Sequence, residues 1–141
     1  MTIEVKPGYD CSTVLSFPTK GNEAFAQHQS ALQIKFDLDD SELKNNYKRK
    51  GDNLWLTQDM LLEDALISRP IHFKTLDGRS ININLDTMIT PQTVHEIIGE
   101  GMPKLDGSGT KGDLYIKFNI QFPSKFVPEL KTSIVDLLKA C

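Results

Sequence analysis

One segment of the sequence has the spacing of a dinucleotide-binding loop. Residues 107–112 read Gly-Ser-Gly-Thr-Lys-Gly and match G-x-G-x-x-G, which binds a pyrophosphate at the N-terminus of the helix that follows it. Here the residues from Asp113 onward alternate between polar and apolar, and this alternation predicts a strand instead of a helix. We therefore interpret the segment as a flexible connection in a β structure and not as a phosphate site.

The histidines do not form a pattern that supports metal binding or acid–base catalysis. His28, His72 and His95 lie far apart in sequence, and none is part of an H-E-x-x-H motif. His95 and Glu96 are adjacent in sequence, but adjacent residues of a strand point to opposite faces. This disfavours their acting together as an acid–base pair. The sequence predicts no catalytic residue, no metal site and no cofactor, and therefore no enzyme.

Cysteine usage and hydropathy indicate a protein of a reducing compartment. Cys11 and Cys141 lie near opposite ends of the chain and form no C-x-x-C motif. No apolar run approaches the roughly 20 residues that a membrane helix needs. We expect no membrane partner and a location in the cytoplasm, or in the nucleus.

The charge balance disfavours nucleic acid as the main partner. Lys plus Arg number 16 and Asp plus Glu 19, so the formal net charge is −3. One basic cluster follows an acidic stretch, and we expect it to be a solvated connector. Its residues are Lys44, Lys48, Arg49 and Lys50, after Asp37, Asp39, Asp40 and Glu42.

Hydrophobic alternation with a period of two is the dominant pattern and predicts half-buried strands. The two clearest runs are Leu32, Ile34, Phe36, Leu38 and Leu114, Ile116, Phe118, Ile120, Phe122. Weaker runs lie at Ile3 and Val5, at Ile71 and Phe73, and at Ile81, Ile83 and Leu85. Asp77-Gly78 stands between two of these runs, as a tight hairpin requires. The sequence therefore predicts a mainly β chain.

Two segments have helical spacing. The first is short: Leu61, Leu62, Ala65 and Leu66 share one face, Asp59 and Glu63 lie near its N-terminus, and Pro70 prevents its extension. The second begins at Pro128, a residue suited to the first helical position. Its apolar stripe consists of Leu130, Ile134, Leu137, Leu138 and Cys141. That stripe requires a surface to pack on.

The sequence also repeats itself. Residues 2–21 align without gaps onto residues 82–101, at an offset of 80 (83 − 3). Residues 32–36 then align onto 114–118 at an offset of 82 (114 − 32), so the second copy has a slightly longer loop. The first copy has no counterpart of residues 54–79 of the second, and we expect two tandem β units of which the first is partial.

A series of short motifs in order resembles the C-terminal region of DnaJ-type J-domain cochaperones. They are Asp52-Asn53-Leu54, Ala65-Leu66, Thr75-Leu76-Asp77-Gly78-Arg79, Gly99-Glu100-Gly101-Met102-Pro103, Lys111-Gly112-Asp113-Leu114 and Phe122-Pro123. Upstream, residues 2–8 and 47–54 extend the similarity over nearly the whole chain. The resemblance implies tandem β-sandwich-like domains and a C-terminal dimerisation helix. The lack of a cysteine-rich segment makes the chain similar to the zinc-finger-less type II, or B, class.

The resemblance also implies a domain organisation and a function. We expect a truncated first C-terminal domain with its connector over 1–51, a second domain over 52–125 and a dimerisation helix over 126–141. The sequence contains no His-Pro-Asp, so ATPase stimulation by a J domain is not expected of it. The implied function is to bind unfolded polypeptide clients and present them to a DnaK-type heat-shock chaperone. An alternative is a non-catalytic scaffolding protein that serves as a dimeric assembly part.

Two sets of residues are candidates for these roles. The predicted client-binding residues are Leu54, Trp55, Leu56, Met60, Leu62 and Leu66, with plain core packing as the alternative for each. The predicted homodimer interface comprises the helical stripe and the two residues before it. Its residues are Phe126, Val127, Leu130, Ile134, Leu137 and Leu138.

Overall fold

The computed structural model describes residues 2–18, 31–39, 43, 46–125 and 127–141, and these form a mainly β structure. The strands are β1 (Val14–Phe17), β2 (Leu32–Lys35), β3 (Tyr47–Lys50), β4 (Asn53–Leu61), β5 (Ile71–Lys74), β6 (Ser80–Ile83), β7 (Val94–Ile97) and β8 (Leu114–Gln121). The helices are α1 (Leu62–Leu66) and α2 (Pro128–Lys139). The expected fold class, mainly β with a C-terminal helix, is confirmed.

The described strands form three sheets. β1 pairs with β2 and β5 pairs with β6, both antiparallel, while a four-stranded sheet has the order β3-β4-β8-β7. β3 and β4 are antiparallel, with Tyr47 opposite Leu56 and Lys50 opposite Asn53. β4 and β8 therefore hold the central positions, where a strand is paired along both edges.

Contacts within the chain divide it into two compact units. Unit 1 comprises Met1–Leu56 and His95–Ile116, and unit 2 comprises Thr57–Val94 and Lys117–Cys141. Each has its own apolar core, because alternate side chains of each strand point inward. In unit 1 the core holds Tyr47, Leu54, Leu56, Leu114 and Ile116, and in unit 2 it holds Ala65, Ile71, Phe73, Ile83, Ile89 and Phe118. The predicted domain division at residue 51 stays a prediction.

The sequence repeat is also a repeat of local structure. β1 and β7 lie at the offset of 80 (94 − 14), and each begins just after a turn with the same hydrogen bonds. In one turn the Asp10 amide donates to Thr13 Oγ1 (3.1 Å), and in the other the Thr90 amide donates to Thr93 Oγ1 (3.0 Å). In both turns the threonine amide donates back to the first residue's carbonyl at 3.0 Å. The two turns therefore have the same hydrogen-bonding pattern, and each is followed by a strand.

Several predicted elements are confirmed. The alternation from Leu114 forms β8, that from Leu32 forms β2, and the stripe after Pro128 forms α2. Asp77-Gly78 lies in the hairpin between β5 and β6, with Gly78 at φ +87°, a left-handed value that favours glycine. A strand and not a helix follows residues 107–112, so the dinucleotide interpretation stays rejected.

Three predicted elements differ from the structure. Ile3 and Val5 form no strand, and the exposed side chain of Val5 gives that segment little burial to gain from one. α1 begins only at Leu62, because β4 extends through Asp59, where Asn119 Nδ2 donates to the Asp59 carboxylate (2.7 Å). Residues Lys48–Lys50 belong to β3 and are not a connector, while Lys44 lies outside the described residues.

Candidate functional site

An open apolar pocket in unit 2 is the strongest candidate for a binding site among the described residues. Its volume is about 480 Å³. Its lining is Leu61, Leu62, Glu63, Leu66, Gln121, Phe122, Pro123 and Ile134. With one carboxylate and one amide among six apolar side chains, the pocket suits apolar groups of a partner and holds no constellation for bond chemistry.

Helix α1 forms one wall of this pocket. Leu62 and Leu66 are four residues apart and therefore share a face of the helix. Ala65, one position before Leu66, is buried, and its carbonyl accepts a hydrogen bond from the Ile89 amide (3.2 Å). The buried side of the short helix is thus attached to the unit 2 core, which leaves the Leu66 side chain facing outward.

The chain after α1 is held by polar contacts that keep this wall in place. Arg69 and Asp64 form an ion pair at 2.7 Å, and the Arg69 amide donates to the Asp64 carbonyl (3.0 Å). Ser68 has φ +50°, a left-handed conformation, and its hydroxyl donates to the Thr87 carbonyl (2.9 Å). These contacts fix the backbone where it leaves the C-terminal end of α1.

The opposite wall comes from the end of β8 and from α2. Phe122 and Pro123 follow the last residue of β8, and Phe122 is largely exposed. Ile134 contributes from the middle of α2 and is the least exposed apolar side chain of that helix. The pocket therefore brings together two predicted client-binding residues and one predicted dimer-interface residue.

The remaining predicted client-binding residues lie elsewhere. Leu54 and Leu56 are each 3% exposed, so in this conformation they offer no surface to a ligand. Trp55 lies between them in β4, where its ring stacks on that of Tyr115 at 4.8 Å between centroids. Met60 lines a smaller pocket of about 240 Å³ in unit 2, whose lining is part polar and part apolar. The binding role of these residues stays a prediction.

Polar groups flank the Trp55–Tyr115 stack in unit 1. Lys50 Nζ lies 4.9 Å from the Trp55 ring centroid, within the range of a cation–π interaction. The Tyr115 hydroxyl donates to the Glu96 carboxylate (2.8 Å), and this bond raises the pKa of Tyr115 above its usual value of 10.0. These contacts hold the rings in place.

The predicted dimer-interface residues of α2 are uncovered in the single chain. Exposure ranges from 37% for Ile134 to 69% for Leu137, with Val127, Leu130 and Leu138 between. Val127 precedes the helix as its cap residue, and no residue of α2 is buried. Phe126 lies outside the described residues. The dimer interface itself stays a prediction.

Sequence reasoning missed Leu61, Phe122 and Pro123 as parts of a surface. The alternation from Leu114 predicts Phe122 as its last apolar strand position, but β8 ends at Gln121. The signal that was available is Pro123, because proline lacks an amide proton and so ends a central strand. Leu61 and Leu62 are consecutive apolar residues at a strand–helix junction, a place where one of the two must face outward.

Other kinds of site find no support in the described part of the chain. Among its residues, no group of three His, Cys, Asp or Glu side chains is arranged to hold a metal ion. None of its helices is long and apolar enough to cross a membrane. His72 and His95 lie on β5 and β7, and His28 lies outside the described residues.

Comparison with known proteins gives a family match over most of the chain. Residues 1–123 match the family model described as the DnaJ C terminal domain. The chain is 34% identical over 138 residues to DnaJ homolog subfamily B member 13 of Homo sapiens, and 32% identical over 139 residues to DnaJ protein homolog 1 of Drosophila melanogaster. Each alignment covers 98% of the chain, but only 43% and 41% of the respective relative.

A relative from another subfamily also matches. DnaJ homolog subfamily A member 2 of Homo sapiens is 38% identical over 96 residues, which are 65% of the chain and 23% of that relative. Similarity thus extends to both the B and the A subfamily. The chain spans less than half the length of each of these three relatives.

Proposed function

Because the chain belongs to the DnaJ C-terminal domain family, we propose that it is the client-binding and dimerising part of a DnaJ-type cochaperone. In this proposal it binds unfolded polypeptides, forms a homodimer and presents its clients to a DnaK-type heat-shock chaperone. It acts in the cytoplasm, without a cofactor and without catalysis of its own.

The observation that carries the client-binding proposal is the apolar pocket of unit 2. Leu66 and Phe122 expose apolar surface around it although the unit has a packed core elsewhere. Unfolded clients share exposed apolar side chains and no common sequence, so a pocket with six apolar lining residues fits them better than a polar site would. Each Leu or Ile side chain buried from water contributes about 1.5–3 kcal/mol before the costs of binding.

The client-binding proposal is tested with one substitution and a matched neighbour. Leu66→Asp places a charge in the pocket lining, whereas Ile67→Asp places the same charge on the next residue, which does not line the pocket. Both side chains are exposed, at 49% and 68%, so neither change disturbs the core. The readout is light scattering of a chemically denatured reporter protein diluted into each variant.

We expect the wild type and Ile67→Asp to keep the reporter soluble and Leu66→Asp to lose most of this activity. Equal protection by all three proteins would remove the pocket from the proposal. If the wild type gives no protection at all while the dimer described next is intact, the scaffolding alternative is favoured.

The dimer proposal depends on the uncovered stripe of α2. The helix has 12 residues, and isolated helices shorter than about 12–15 residues are marginally stable in water. Its apolar residues are exposed in the single chain. Packing against the same stripe of a second copy would bury these side chains and stabilise the helix, which makes the helix a self-complementary interface of the type found in two-fold dimers.

Sedimentation velocity at tens of micromolar tests the dimer. Leu130→Asp with Leu138→Asp charges the stripe without touching the pocket lining, and Thr132→Asp with Lys139→Gln makes the same change in net charge on the side of the helix opposite the stripe. We expect a dimer for the wild type and the second pair of substitutions, and a monomer for the first pair. A monomeric wild type, or a dimer for all three, would contradict the proposal.

A further inference from the structure

The apolar pocket of unit 2 and the apolar stripe of α2 have one side chain in common. Ile134 lines the pocket, opposite Leu62 and Leu66 of α1. Ile134 also belongs to the stripe, because Leu130 and Leu138 lie four residues before and after it and therefore share its face of the helix. The stripe thus faces the pocket at its centre.

The face of α2 that carries the stripe is loosely packed in unit 2. No residue of the helix is buried, and even Ile134 is 37% exposed. Its neighbours in the stripe are more exposed, Leu130 at 56% and Leu138 at 60%. The pocket, of about 480 Å³, lies between Ile134 and the wall that α1 forms. This space can hold one further chain segment against the stripe.

Both partners that the proposed function assigns to this region require the same space. A client in the pocket would bury apolar side chains against Leu66 and Ile134. A second copy that packs its own α2 on the stripe would bury Ile134 as well, because this residue is central to the stripe. The axes of packed helices are about 8–10 Å apart and their side chains interdigitate, which leaves no room for a client segment at Ile134.

We propose that client binding in the pocket and dimerisation through α2 exclude one another. A client displaces the second copy from the stripe, and the second copy closes the pocket to clients. This inference rests on the proposed function, since it requires both a client in the pocket and a dimer through α2. The coupling between the two binding events is reciprocal, so each can be measured through its effect on the other.

The first experiment measures client binding as a function of dimerisation. The probe is a fluorophore-labelled peptide of uncharged residues with blocked ends, Gly-Ser-Leu-Phe-Leu-Ser-Gly. Fluorescence anisotropy follows its binding to the full 141-residue chain. The variant Leu130→Asp with Leu138→Asp is expected to be monomeric and retains every residue of the pocket lining. We expect it to bind the peptide more tightly than the wild type does.

The size of this difference follows from the fraction of monomer. Where nine-tenths of the wild-type chains are dimeric, only one-tenth can bind the peptide, so half-saturation requires about tenfold more chain. A charge beside the pocket would by itself weaken the binding of an apolar peptide, so tighter binding is not a direct effect of the new carboxylates. Thr132→Asp with Lys139→Gln makes the same change in net charge opposite the stripe and should bind as the wild type does.

The second experiment measures dimerisation as a function of the peptide. In sedimentation velocity, an excess of unlabelled peptide should convert the wild-type dimer to a monomer. Leu66→Asp alters the pocket through α1 and should remain dimeric in the same excess. A control peptide without apolar side chains, Gly-Ser-Ser-Gln-Ser-Ser-Gly, should leave both proteins dimeric.

Failure of this inference can be told apart from failure of the proposed function. If the wild type is a dimer and Leu66→Asp loses peptide binding, the pocket and the dimer both hold. A wild-type dimer that then stays intact at saturating peptide overturns mutual exclusion alone, and this result needs no altered stripe. A wild type that is monomeric throughout, or a Leu66→Asp variant that binds the peptide as the wild type does, contradicts the proposed function and overturns this inference with it.

Discussion

The equivalent isoleucines of the repeat should differ strongly in their contribution to stability. Ile116→Ala removes three carbons from a side chain that is fully buried, which costs about 2.4 kcal/mol in transfer free energy at roughly 0.8 kcal/mol per carbon. The cavity left behind raises the total to about 3–5 kcal/mol. Ile34→Ala makes the same change at a partly buried position, where water replaces part of the lost contact and no closed cavity forms. We expect about 1 kcal/mol there.

Urea unfolding followed by tryptophan fluorescence measures both values. Trp55 is the single tryptophan of the chain and belongs to unit 1, as do both isoleucines. The denaturant dependence of the free energy of unfolding should be the same in both variants, and far-UV circular dichroism should give the same transition as fluorescence. A loss of stability in Ile34→Ala as large as in Ile116→Ala would contradict the difference in burial between the two side chains, from which this prediction is derived.

Two further predictions concern tight local structure. Gly112→Ala should lower the free energy of unfolding by about 1–3 kcal/mol in the same assay, because a Cβ at this position would collide with the backbone carbonyl of Asp52. Asp77→Asn should lower the melting temperature at neutral pH. Hydrogen bonds from Arg79 and Thr75 hold the pKa of Asp77 well below its ordinary value of 3.8. The ionised carboxylate therefore contributes its full stabilisation of the folded state at a pH above 3.8, and this contribution is lost as the pH falls through the folded-state pKa. The difference in melting temperature between wild type and Asp77→Asn should therefore be constant above about pH 5 and shrink in acid.

The alternation identified β8 and also the four-residue strands β2, β5 and β6, whereas the nine-residue β4 was not among the predicted strands. β8 has eight residues and alternates regularly, so its period alone predicts the buried face. β1 and β7 have only four residues each, and neither has a single fully buried side chain. Their identity as strands depends on the neighbours that pair with them, and the pattern of so short a segment does not indicate its pairing partner.

β3 was missed for a different physical reason. Its four residues Tyr47–Lys50 include three positive charges, and such a sequence resembles a solvated connector. The strand lies at the end of the order β3-β4-β8-β7, and charged side chains at an edge are compatible with pairing because they remain in water. Only Tyr47 is buried, opposite Leu56.

The candidate binding residues show that an apolar sequence pattern does not by itself distinguish a binding surface from the core. Leu54 and Leu56 have the alternation of a strand, and the same pattern that made them attractive as a surface predicts that a core covers them. Leu62 and Leu66 have helical spacing at the end of that strand, where the core is already filled by Ala65. Whether a leucine of this segment is exposed therefore depends on where the strand period of two residues changes into the helical period, at Leu61–Leu62.

Helix α2 shows why one apolar stripe cannot be assigned to one role from sequence. The pattern of Leu130, Ile134 and Leu138 requires a partner surface, but it is silent on whether that surface lies in the same chain or in another. In the structure Ile134 lines the pocket together with Leu62 and Leu66, while Leu130 and Leu138 do not. A substitution at Ile134 would therefore disturb both proposed functions at once. Client binding and dimerisation become separable only when the pocket is altered through α1 and the helix through the stripe residues that lie outside the pocket.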